Sequence, residues 1–256
     1  MSNTWAEGRI ALITGATSGF GEAFARRVVS AGGRVIATGR RADRLEALVS
    51  ELGEDKVLAR ALDLRSAESI NALLPSLPDA FQAIDVLFNN AGLALGLNKA
   101  PETDIADWEA MIETNVLGLA RITRVVLPGM VARNRGDVPN MSSVAASYPY
   151  PGGNVYGATK AFVRQFSLNL RADLLGTAIR VTSIEPGMCE TEFSLVRFKG
   201  DPDAAAKVYQ GMTPLSADDI ALTLESVLRL PAHININTLE LMPVQQAFGG
   251  FAVSRD

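Results

Sequence analysis

The sequence has few of the side chains that build metal sites and covalent cross-links. Among 256 residues it contains a single cysteine, Cys189, which excludes a disulfide framework and a zinc or iron–sulfur site made of several cysteines. It also contains a single histidine, His233, which excludes any catalytic scheme that needs two imidazoles. We therefore expect no metal in the functional site, and a chain of this length buries enough surface to fold without disulfides.

Basic residues and long apolar runs are also scarce. Lys and Arg total 24 against 28 Asp and Glu, which gives a formal net charge of −4 and disfavours a nucleic-acid partner. No uninterrupted apolar run approaches the roughly 18–20 residues of a membrane span. The N-terminus lacks the basic-then-apolar order of a signal peptide. We expect a cytoplasmic protein without nucleic-acid or membrane partners.

Short apolar runs alternate with amphipathic segments along the chain, which predicts alternating strands and helices. The predicted strands are 8–14, 34–38, 57–62, 84–88, 137–142, 178–184 and 238–242. The predicted helices are 20–31, 41–52, 67–77, 105–117, 119–133 and 154–175. This order predicts one α/β domain over residues 1–256, with a doubly wound parallel sheet and helices on both faces. The least regular stretch, 187–217, is expected to be a substrate loop or lid.

A glycine-rich turn connects the first predicted strand to the first predicted helix. Gly15, Gly19 and Gly21 follow the spacing Gly-x3-Gly-x-Gly, a variant of the dinucleotide fingerprint. Glycine lets the backbone approach a pyrophosphate, and the helix N-terminus supplies unpaired N–H groups and a partial positive charge. The strand, turn, helix and second strand fall in order within roughly 30 residues, which favours a dinucleotide site.

The end of the second predicted strand indicates which dinucleotide is bound. An acidic residue there would bind the ribose 2′-hydroxyl of NAD, whereas a basic residue would bind the 2′-phosphate of NADP. Arg40 and Arg41 stand there without an acid, and Thr17 and Ser18 lie in the nearby turn. A guanidinium binds phosphate through paired N–H groups and stacks on adenine. We predict NADP; the alternative is that both arginines only solvate the start of a helix.

Tyr156 and Lys160 stand four residues apart on one predicted helix face, and a nearby cation lowers the pKa of a phenol from its usual value near 10. Ser143, at the end of a predicted strand, could orient a carbonyl oxygen. Asn115 could hold a water that links Lys160 to solvent. A Tyr/Lys pair at this spacing also occurs by chance, and Asn115 could simply be a polar residue that interrupts a helix. The combination indicates acid–base chemistry.

Together these residues resemble the short-chain dehydrogenase/reductase superfamily. The resemblance covers nearly the whole chain and rests on the glycine turn, Asn89-Asn90-Ala91-Gly92, Asn115, Ser143, Tyr156, Lys160 and Pro186-Gly187. It implies a Rossmann-type sheet of about seven strands and a homotetramer or dimer built on helix–helix contacts. The NADP-binding residues that it implies are Gly15, Thr17, Ser18, Gly19, Phe20, Gly21, Arg40, Arg41, Asp63, Leu64, Asn89, Ala91, Gly92, Tyr156, Lys160, Pro186, Gly187 and Thr191.

Three segments, 152–163, 191–201 and 230–240, resemble the branch of NADP-dependent 3-hydroxy acid (serine and allo-threonine) dehydrogenases. The resemblance implies hydride transfer between NADP(H) and a small anionic hydroxy acid or its aldehyde or ketone. The catalytic residues that it implies are Asn115, Ser143, Tyr156 and Lys160, with Tyr156 as the acid/base. The candidate substrate residues are Tyr148, Tyr150, Met188, Arg197 and Lys199, of which Arg197 and Lys199 would contact the anion. The alternatives are a solvated or inter-subunit charge pair for these two residues and ordinary packing for the two tyrosines.

Two alternatives stay open. A sulfoacetaldehyde reductase or a broad-range aldehyde/ketone reductase would use the same Ser143, Tyr156 and Lys160, because arginine binds sulfonate and carboxylate alike. A protein that only senses NADP(H) shares the fold but has no need for the proton-transfer residues. Residues 187–191 are less glycine-rich than expected for the 3-hydroxy acid branch, which leaves the substrate undetermined.

Three local features carry separate expectations. Pro139 falls inside a predicted central strand, where proline cannot donate to the ladder, so we expect a local distortion just before Ser143. The apolar stretch 239–253 is expected to cover a neighbouring subunit, with packing against its own subunit as the alternative. Cys189 is expected to be a small apolar filler or a residue at the rim of the pocket.

Overall fold

The computed structural model describes residues 4–249, and these contain a parallel sheet of seven strands. The strands are β1 (Ile10–Thr14), β2 (Arg34–Gly39), β3 (Val57–Ala61), β4 (Val86–Phe88), β5 (Gly136–Met141), β6 (Ile179–Pro186) and β7 (Thr238–Leu241). Their order across the sheet is β3-β2-β1-β4-β5-β6-β7, so the winding reverses between β1 and β4. The predicted doubly wound parallel sheet is confirmed.

Helices cover both faces of this sheet. They are α1 (Gly19–Ser30), α2 (Ala42–Leu52), α3 (Ala67–Leu73), α4 (Ile105–Ile112), α5 (Leu119–Arg133), α6 (Asn154–Asp173), α7 (Glu192–Arg197), α8 (Pro202–Lys207) and α9 (Ala217–Leu228). Successive strand side chains point to opposite faces. Ile13 therefore packs with Phe24 and Leu224 on one side, while Leu12 packs with Ile122 on the other. Both faces are buried, as expected for a parallel sheet.

The region after β6 is more regular than the sequence pattern predicts. Residues 187–217, expected to be irregular, contain α7 and α8, and α9 was not predicted at all. A capping box begins α9: the Ser216 hydroxyl accepts from the Asp219 N–H at 3.1 Å, and the Asp219 carboxylate accepts from the Ser216 N–H at 2.8 Å. The Ser-x-x-Asp pattern was therefore an available signal for this helix.

The longest helical run covers residues 105–133 and joins α4 to α5 through a π-helical segment, Glu113–Gly118. By length and composition alone, this helical segment of 29 residues could cross a membrane. Polar residues interrupt its apolar sequence throughout. Core helices of globular proteins meet the same criterion. Ile122 and Val126 of this run are buried against the sheet.

The strand that contains Pro139 keeps its path beside β6, and the expected distortion is limited to an interruption of its pairing with β4 between Asp137 and Asn140. β5 pairs with β6 in unbroken register from Gly136 to Met141. Towards β4, the Asp137 N–H donates to the Asp85 carbonyl and the Met141 N–H to the Asn89 carbonyl, both at 2.9 Å. Pro139 lies midway between these donors and has no N–H. The proline therefore removes one hydrogen bond between β5 and β4 and leaves the path of the strand unchanged.

The C-terminal stretch expected to cover a neighbour is described as far as residue 249, so residues 250–253 lie outside the described part. Within the described part, the ring of Phe248 lies 5.1 Å from the ring of Tyr148. The side chain of Gln246 accepts a hydrogen bond from the Met188 N–H at 2.7 Å. The described end of this stretch thus contacts its own chain, while Phe248 stays 61% exposed, and the expected contact with a neighbouring subunit stays a prediction.

Candidate active site

A cleft of about 720 Å³ lies at the carboxyl ends of the strands. It opens where the winding of the sheet reverses between β1 and β4, the position at which doubly wound sheets bind their ligands. The predicted residues that line it are Gly15, Thr17, Ser18, Gly19, Phe20, Arg40, Arg41, Asp63, Leu64, Ala91, Gly92, Ser143, Tyr148, Tyr150, Tyr156, Lys160, Pro186, Gly187, Met188, Thr191 and Arg197. Gly21, Asn89, Asn115 and Lys199 do not line it.

The glycine turn has the backbone conformation that its sequence predicts. Gly15 and Gly19 have φ angles of +68° and +55°, which side-chain-bearing residues rarely adopt. A Cβ atom on Gly21 would lie 2.4 Å from the Gly15 carbonyl oxygen. Gly21 therefore shapes the turn from behind instead of lining the cleft.

Asn90, rather than Asn89, supports this turn at the cleft. The Asn90 amide donates to the carbonyls of Thr14 at 3.0 Å and Gly15 at 3.1 Å. Asn89 points the other way, where its amide donates to Asn140 and Thr123 and is buried. Because neighbouring residues at a strand end face opposite sides, only one of the two asparagines reaches the cleft.

The two arginines after β2 differ in their contacts. Arg40 is exposed at the edge of the cleft. Arg41 donates to the Thr17 carbonyl at 3.1 Å and to the Thr17 hydroxyl at 3.2 Å, and it forms an ion pair of 2.8 Å with Glu192. Arg41 is thus fixed between the glycine turn and α7.

Tyr156 is buried on α6 beside Ser143, which stands just past the end of β5. The Ser143 hydroxyl accepts from the Ala145 N–H at 3.1 Å, which fixes its position. Burial raises the pKa of Tyr156 to about 12, while the charge of Arg197 and the nearby Ser143 hydroxyl oppose this rise. The sequence suggested that Lys160 is the cation that lowers the pKa of Tyr156, but in the structure this cation is Arg197. The effect of burial on the pKa is larger than the effect of Arg197.

Lys160 is buried one helical turn after Tyr156. Its ammonium donates to the Met141 carbonyl at 2.8 Å and lies 5.8 Å from the centre of the Tyr156 ring. Burial lowers the pKa of Lys160 to about 8. A Cβ atom on Gly92 would lie only 3.2 Å from this ammonium and 3.2 Å from the Asn115 amide oxygen, so a small residue is needed between them.

Asn115 lies in the π-helical segment and behind the cleft wall. Its amide oxygen accepts from the Leu93 N–H at 2.9 Å, and its amide nitrogen donates to the Leu93 carbonyl at 2.9 Å and to the Thr159 hydroxyl at 3.1 Å. π-Helical turns inside α-helices often occur at functional sites. Asn115 thus fixes the backbone around Gly92, next to Lys160.

Arg197 enters the cleft from α7. It donates to the Tyr150 hydroxyl at 2.9 Å, and its buried Nε atom has no hydrogen-bond partner among residues 4–249. Its guanidinium carbon lies 4.9 Å from the ring centre of Tyr156 and 5.2 Å from that of Phe193. A buried donor without a partner is costly unless a ligand satisfies it. Arg197 is therefore a suitable contact for an anion.

Lys199 and Tyr148 are less central than predicted. The Lys199 side chain is 62% exposed and forms an ion pair of 3.0 Å with Asp107, away from the cleft. The Tyr148 hydroxyl donates to the Glu240 carboxylate at 3.1 Å at an exposed position.

Several lining residues were not predicted from the sequence. They include Phe193, Tyr209, Glu192 and Gln246. The Tyr209 hydroxyl lies 2.6 Å from the Ser194 hydroxyl and donates to the Cys189 carbonyl at 2.6 Å, which ties α7 to the segment after β6. Cys189 itself lies at the cleft, and burial raises the pKa of its thiol to about 12.

The sheet and the cleft together define a nucleotide-binding α/β protein. Its glycine turn and its buried tyrosine–lysine pair both line the cleft at the carboxyl ends of the strands. The family model described as short chain dehydrogenase matches residues 9–200, and the chain belongs to this family. The chain is therefore a dehydrogenase of the kind that its sequence motifs resemble.

Close relatives place the chain in the expected branch of the family. It is 60% identical over 247 residues to the NADP-dependent 3-hydroxy acid dehydrogenase YdfG of Salmonella typhi, covering 96% of this chain and 99% of the relative. It is 57% identical over 245 residues to serine 3-dehydrogenase of Agrobacterium fabrum, covering 96% and 98%. The predicted similarity to 3-hydroxy acid and serine dehydrogenases is confirmed.

A solved structure described as the closed form of serine dehydrogenase complexed with NADP+ has a similar fold. The two share 56% identity and a TM-score of 0.95, over 96% of this chain and 100% of that one. Serine dehydrogenase from Escherichia coli shares 51% identity and a TM-score of 0.83, over 93% and 100% of the two chains.

Proposed function

We propose that this protein is an NADP(H)-dependent dehydrogenase that interconverts a small anionic 3-hydroxy acid and its aldehyde or ketone. The observation that carries the proposal is the convergence of Ser143, Tyr156, Lys160 and Arg197 on one cleft that begins at the glycine turn. The relatives named as 3-hydroxy acid and serine dehydrogenases support the same activity.

The cleft fits a pyridine dinucleotide. Its volume falls within the roughly 300–1,000 Å³ of ligand sites. A Cβ atom on Gly15 would lie 3.1 Å from the Cα atom of Ala91, so only glycine lets the turn pass this close to the segment after β4. The turn would hold the pyrophosphate, Arg40 and Arg41 the 2′-phosphate, and Lys160 the nicotinamide ribose. When bound, NADP(H) supplies or accepts the hydride.

Tyr156 is the proposed proton donor and acceptor. Burial keeps the phenol protonated at neutral pH, because the pKa of Tyr156 is about 12, and this form donates a proton to a carbonyl oxygen during reduction. Oxidation requires the phenolate, which the charge of Arg197 favours. The Ser143 hydroxyl would hold the substrate oxygen. Lys160 and Asn115 would relay the proton towards solvent through water.

Arg197 is the proposed contact for the substrate anion. Its unpartnered Nε–H and its guanidinium are positioned between Tyr150, Phe193 and Tyr156, next to the proposed proton donor. A carboxylate would accept from this guanidinium through paired N–H groups. Met188 and Tyr150 would form walls of the same pocket, and Tyr148 its outer edge. Residues 187–217 would act as the lid, within a single domain.

Steady-state kinetics with a substrate panel tests the proposal. We expect oxidation of L-serine and 3-hydroxypropionate with NADP+, with a higher kcat/KM than with NAD+ and a higher kcat/KM than for an uncharged alcohol. Preference for sulfoacetaldehyde with NADPH would retain the mechanism and change the substrate. Equal rates with a neutral aldehyde would indicate a broad-range reductase, and binding of NADPH without consumption of it across the panel would contradict the proposal.

We also propose that the chain forms a homotetramer, or a dimer, through its long helical run. Ile112, Leu117 and Val131 of this run are each more than 40% exposed, which is unusual for large apolar side chains on several turns of neighbouring helices. Light scattering coupled to size-exclusion chromatography measures the assembly. A monomer at micromolar concentration would contradict it. A cytoplasmic location stays a prediction.

A further inference from the structure

The first residue of α7 forms an ion pair across the cleft. Glu192 accepts a hydrogen bond from Arg41 at 2.8 Å, and its other carboxylate oxygen lies 3.5 Å from Arg44. The side chains of Glu192 and Arg41 are 38% and 42% exposed, so solvent and ligands reach both. This contact fastens the start of the lid to the segment after β2.

The start of α7 also rests on the glycine turn. Thr191 precedes the helix, and its hydroxyl accepts from the Phe193 N–H at 3.2 Å, which caps the first turn. A Cβ atom on Gly19 would lie 3.6 Å from the Thr191 side chain. The lid therefore begins directly beside the turn expected to bind the pyrophosphate.

Glu192 accepts a hydrogen bond from an N–H group of Arg41 that could otherwise bind a phosphate. Arg41 directs Nη2 to Thr17 and Nη1 to Glu192. The hydrogen bond from Arg41 holds the pKa of Glu192 below its usual value, so the carboxylate is charged at neutral pH. An anion that approaches Arg41 thus meets a guanidinium already paired with a negative charge.

We propose that Glu192 is a specificity-determining residue that competes with the 2′-phosphate of NADP(H) for Arg41. This inference rests on the NADP(H) dependence proposed above. A phosphate monoester carries nearly two negative charges at neutral pH and three acceptor oxygens, so it binds a guanidinium more strongly than a carboxylate does. Because the phosphate must replace Glu192 on Arg41, the apparent affinity for NADP(H) is lowered. NAD(H) has no 2′-phosphate, so its affinity is unchanged.

Isothermal titration of two nucleotide fragments tests the competition. Adenosine 2′,5′-bisphosphate carries the 2′-phosphate and 5′-AMP lacks it, and neither contains a nicotinamide. We expect Glu192→Gln to tighten bisphosphate binding about two- to fivefold, the range of an exposed ion pair, and to leave 5′-AMP binding within twofold. Glu46→Gln, on exposed α2, makes the same change of net charge and is expected to alter neither.

The outcomes separate this inference from the proposed function. If the wild-type protein does not bind the bisphosphate more tightly than 5′-AMP, the NADP(H) preference fails and the competition fails with it. If the wild-type protein shows the preference but Glu192→Gln leaves the bisphosphate affinity unchanged or weakens it, only the competition is overturned. A weakened affinity would mean that Glu192 positions Arg41 for the phosphate.

Discussion

The guanidinium of Arg197 lies over the ring of Tyr156, with its carbon 4.9 Å from the ring centre. A cation over an aromatic face is attracted to the ring and favours the ionised phenol. Arg197 belongs to α7 and Tyr156 to α6, so the position of α7 places this charge next to the proposed proton donor. The side chain proposed to bind the substrate anion thereby also lowers the pKa of the phenol.

Arg197→Gln is expected to weaken the use of anionic substrates selectively. Loss of a charged hydrogen bond costs about 1.5–3 kcal/mol, so kcat/KM for L-serine is expected to fall roughly 10- to 150-fold, with a smaller loss for a neutral alcohol. The pKa of Tyr156 is expected to rise, because Arg197 is the strongest influence that lowers it. The pH profile of oxidation, which needs the phenolate, is expected to shift to higher pH.

Lys199→Gln is the matched control for Arg197→Gln. It removes a lid cation that pairs with Asp107 outside the cleft. Its kcat/KM and pH profile are expected to stay near the wild-type values. Equal losses for anionic and neutral substrates in Arg197→Gln would show that the arginine supports the lid and does not bind the anion.

Tyr156→Phe is expected to lower turnover by roughly 10²–10⁴-fold, the usual contribution of a general acid or base. The phenyl ring retains the packing against Phe193 and Arg197, so the affinity for NADPH is expected to change little. NADPH oxidation and fluorescence titration measure the two quantities. Tyr148→Phe removes a hydroxyl that binds Glu240 at an exposed position and is expected to keep nearly full activity. Turnover of Tyr156→Phe near that of the wild-type protein refutes the assignment.

The sheet could be predicted from the sequence because its determinants are local. Each buried strand is a short apolar run, and the seven predicted strands overlap the observed ones, as 34–38 does with Arg34–Gly39. The glycine turn follows from its spacing alone. α7 and α8 have only six residues each, too few to show a clear apolar period, and so the lid was predicted as irregular.

The electrostatics of the site could not be predicted, because they depend on burial and on distant segments. The spacing of Tyr156 and Lys160 indicated a cation near the phenol, yet Lys160 directs its ammonium to the Met141 carbonyl. The effective cation, Arg197, lies far along the chain. Similarly, the sequence does not show which amide of the Asn89-Asn90 pair faces the cleft, because this depends on which side chains of β4 point to each face of the sheet.

Glu185 gives a stability prediction with a definite sign. It is fully buried on β6, and within the described part of the chain one of its carboxylate oxygens has no hydrogen-bond partner. Burial raises its pKa, against a hydrogen bond from Ser183 and the charge of Arg164. A raised folded-state pKa means that the fold favours the protonated form. Stability is therefore highest below the unfolded pKa, near 4.5, and falls as the pH rises through the folded value.

Glu185→Gln is accordingly expected to raise the free energy of unfolding at pH 7–8 by on the order of 1 kcal/mol, with the difference shrinking towards pH 4.5. Urea denaturation across this pH range measures it. Glu54→Gln, an exposed position, is expected to show no such dependence. A Glu185→Gln protein that is less stable at pH 7–8 would show that the carboxylate is stabilised in its charged form.

Pro139→Val is expected to stabilise the sheet without affecting activity. The N–H groups at 137 and 141 reach the carbonyls at 85 and 89, so an N–H at 139 would reach the carbonyl of Leu87. The larger side chain would also extend into a small enclosed space lined by Thr182 and Leu224. A ladder hydrogen bond contributes about 0.5–1.5 kcal/mol, and loss of the proline's restriction of the unfolded chain offsets about 0.4–1 kcal/mol of this.

With the added packing, the net gain for Pro139→Val is expected to be about 0.5–1 kcal/mol, which raises Tm by roughly 1–4 °C for a chain of this size. Pro139→Ala restores the N–H without filling the space, so it is expected to be close to neutral and separates the two contributions. Calorimetry measures Tm for both variants, and kcat/KM is expected to stay within twofold because β5 is already continuous up to Met141. A destabilised Pro139→Val protein would show that the surrounding helices fit proline and that the missing hydrogen bond is satisfied in another way.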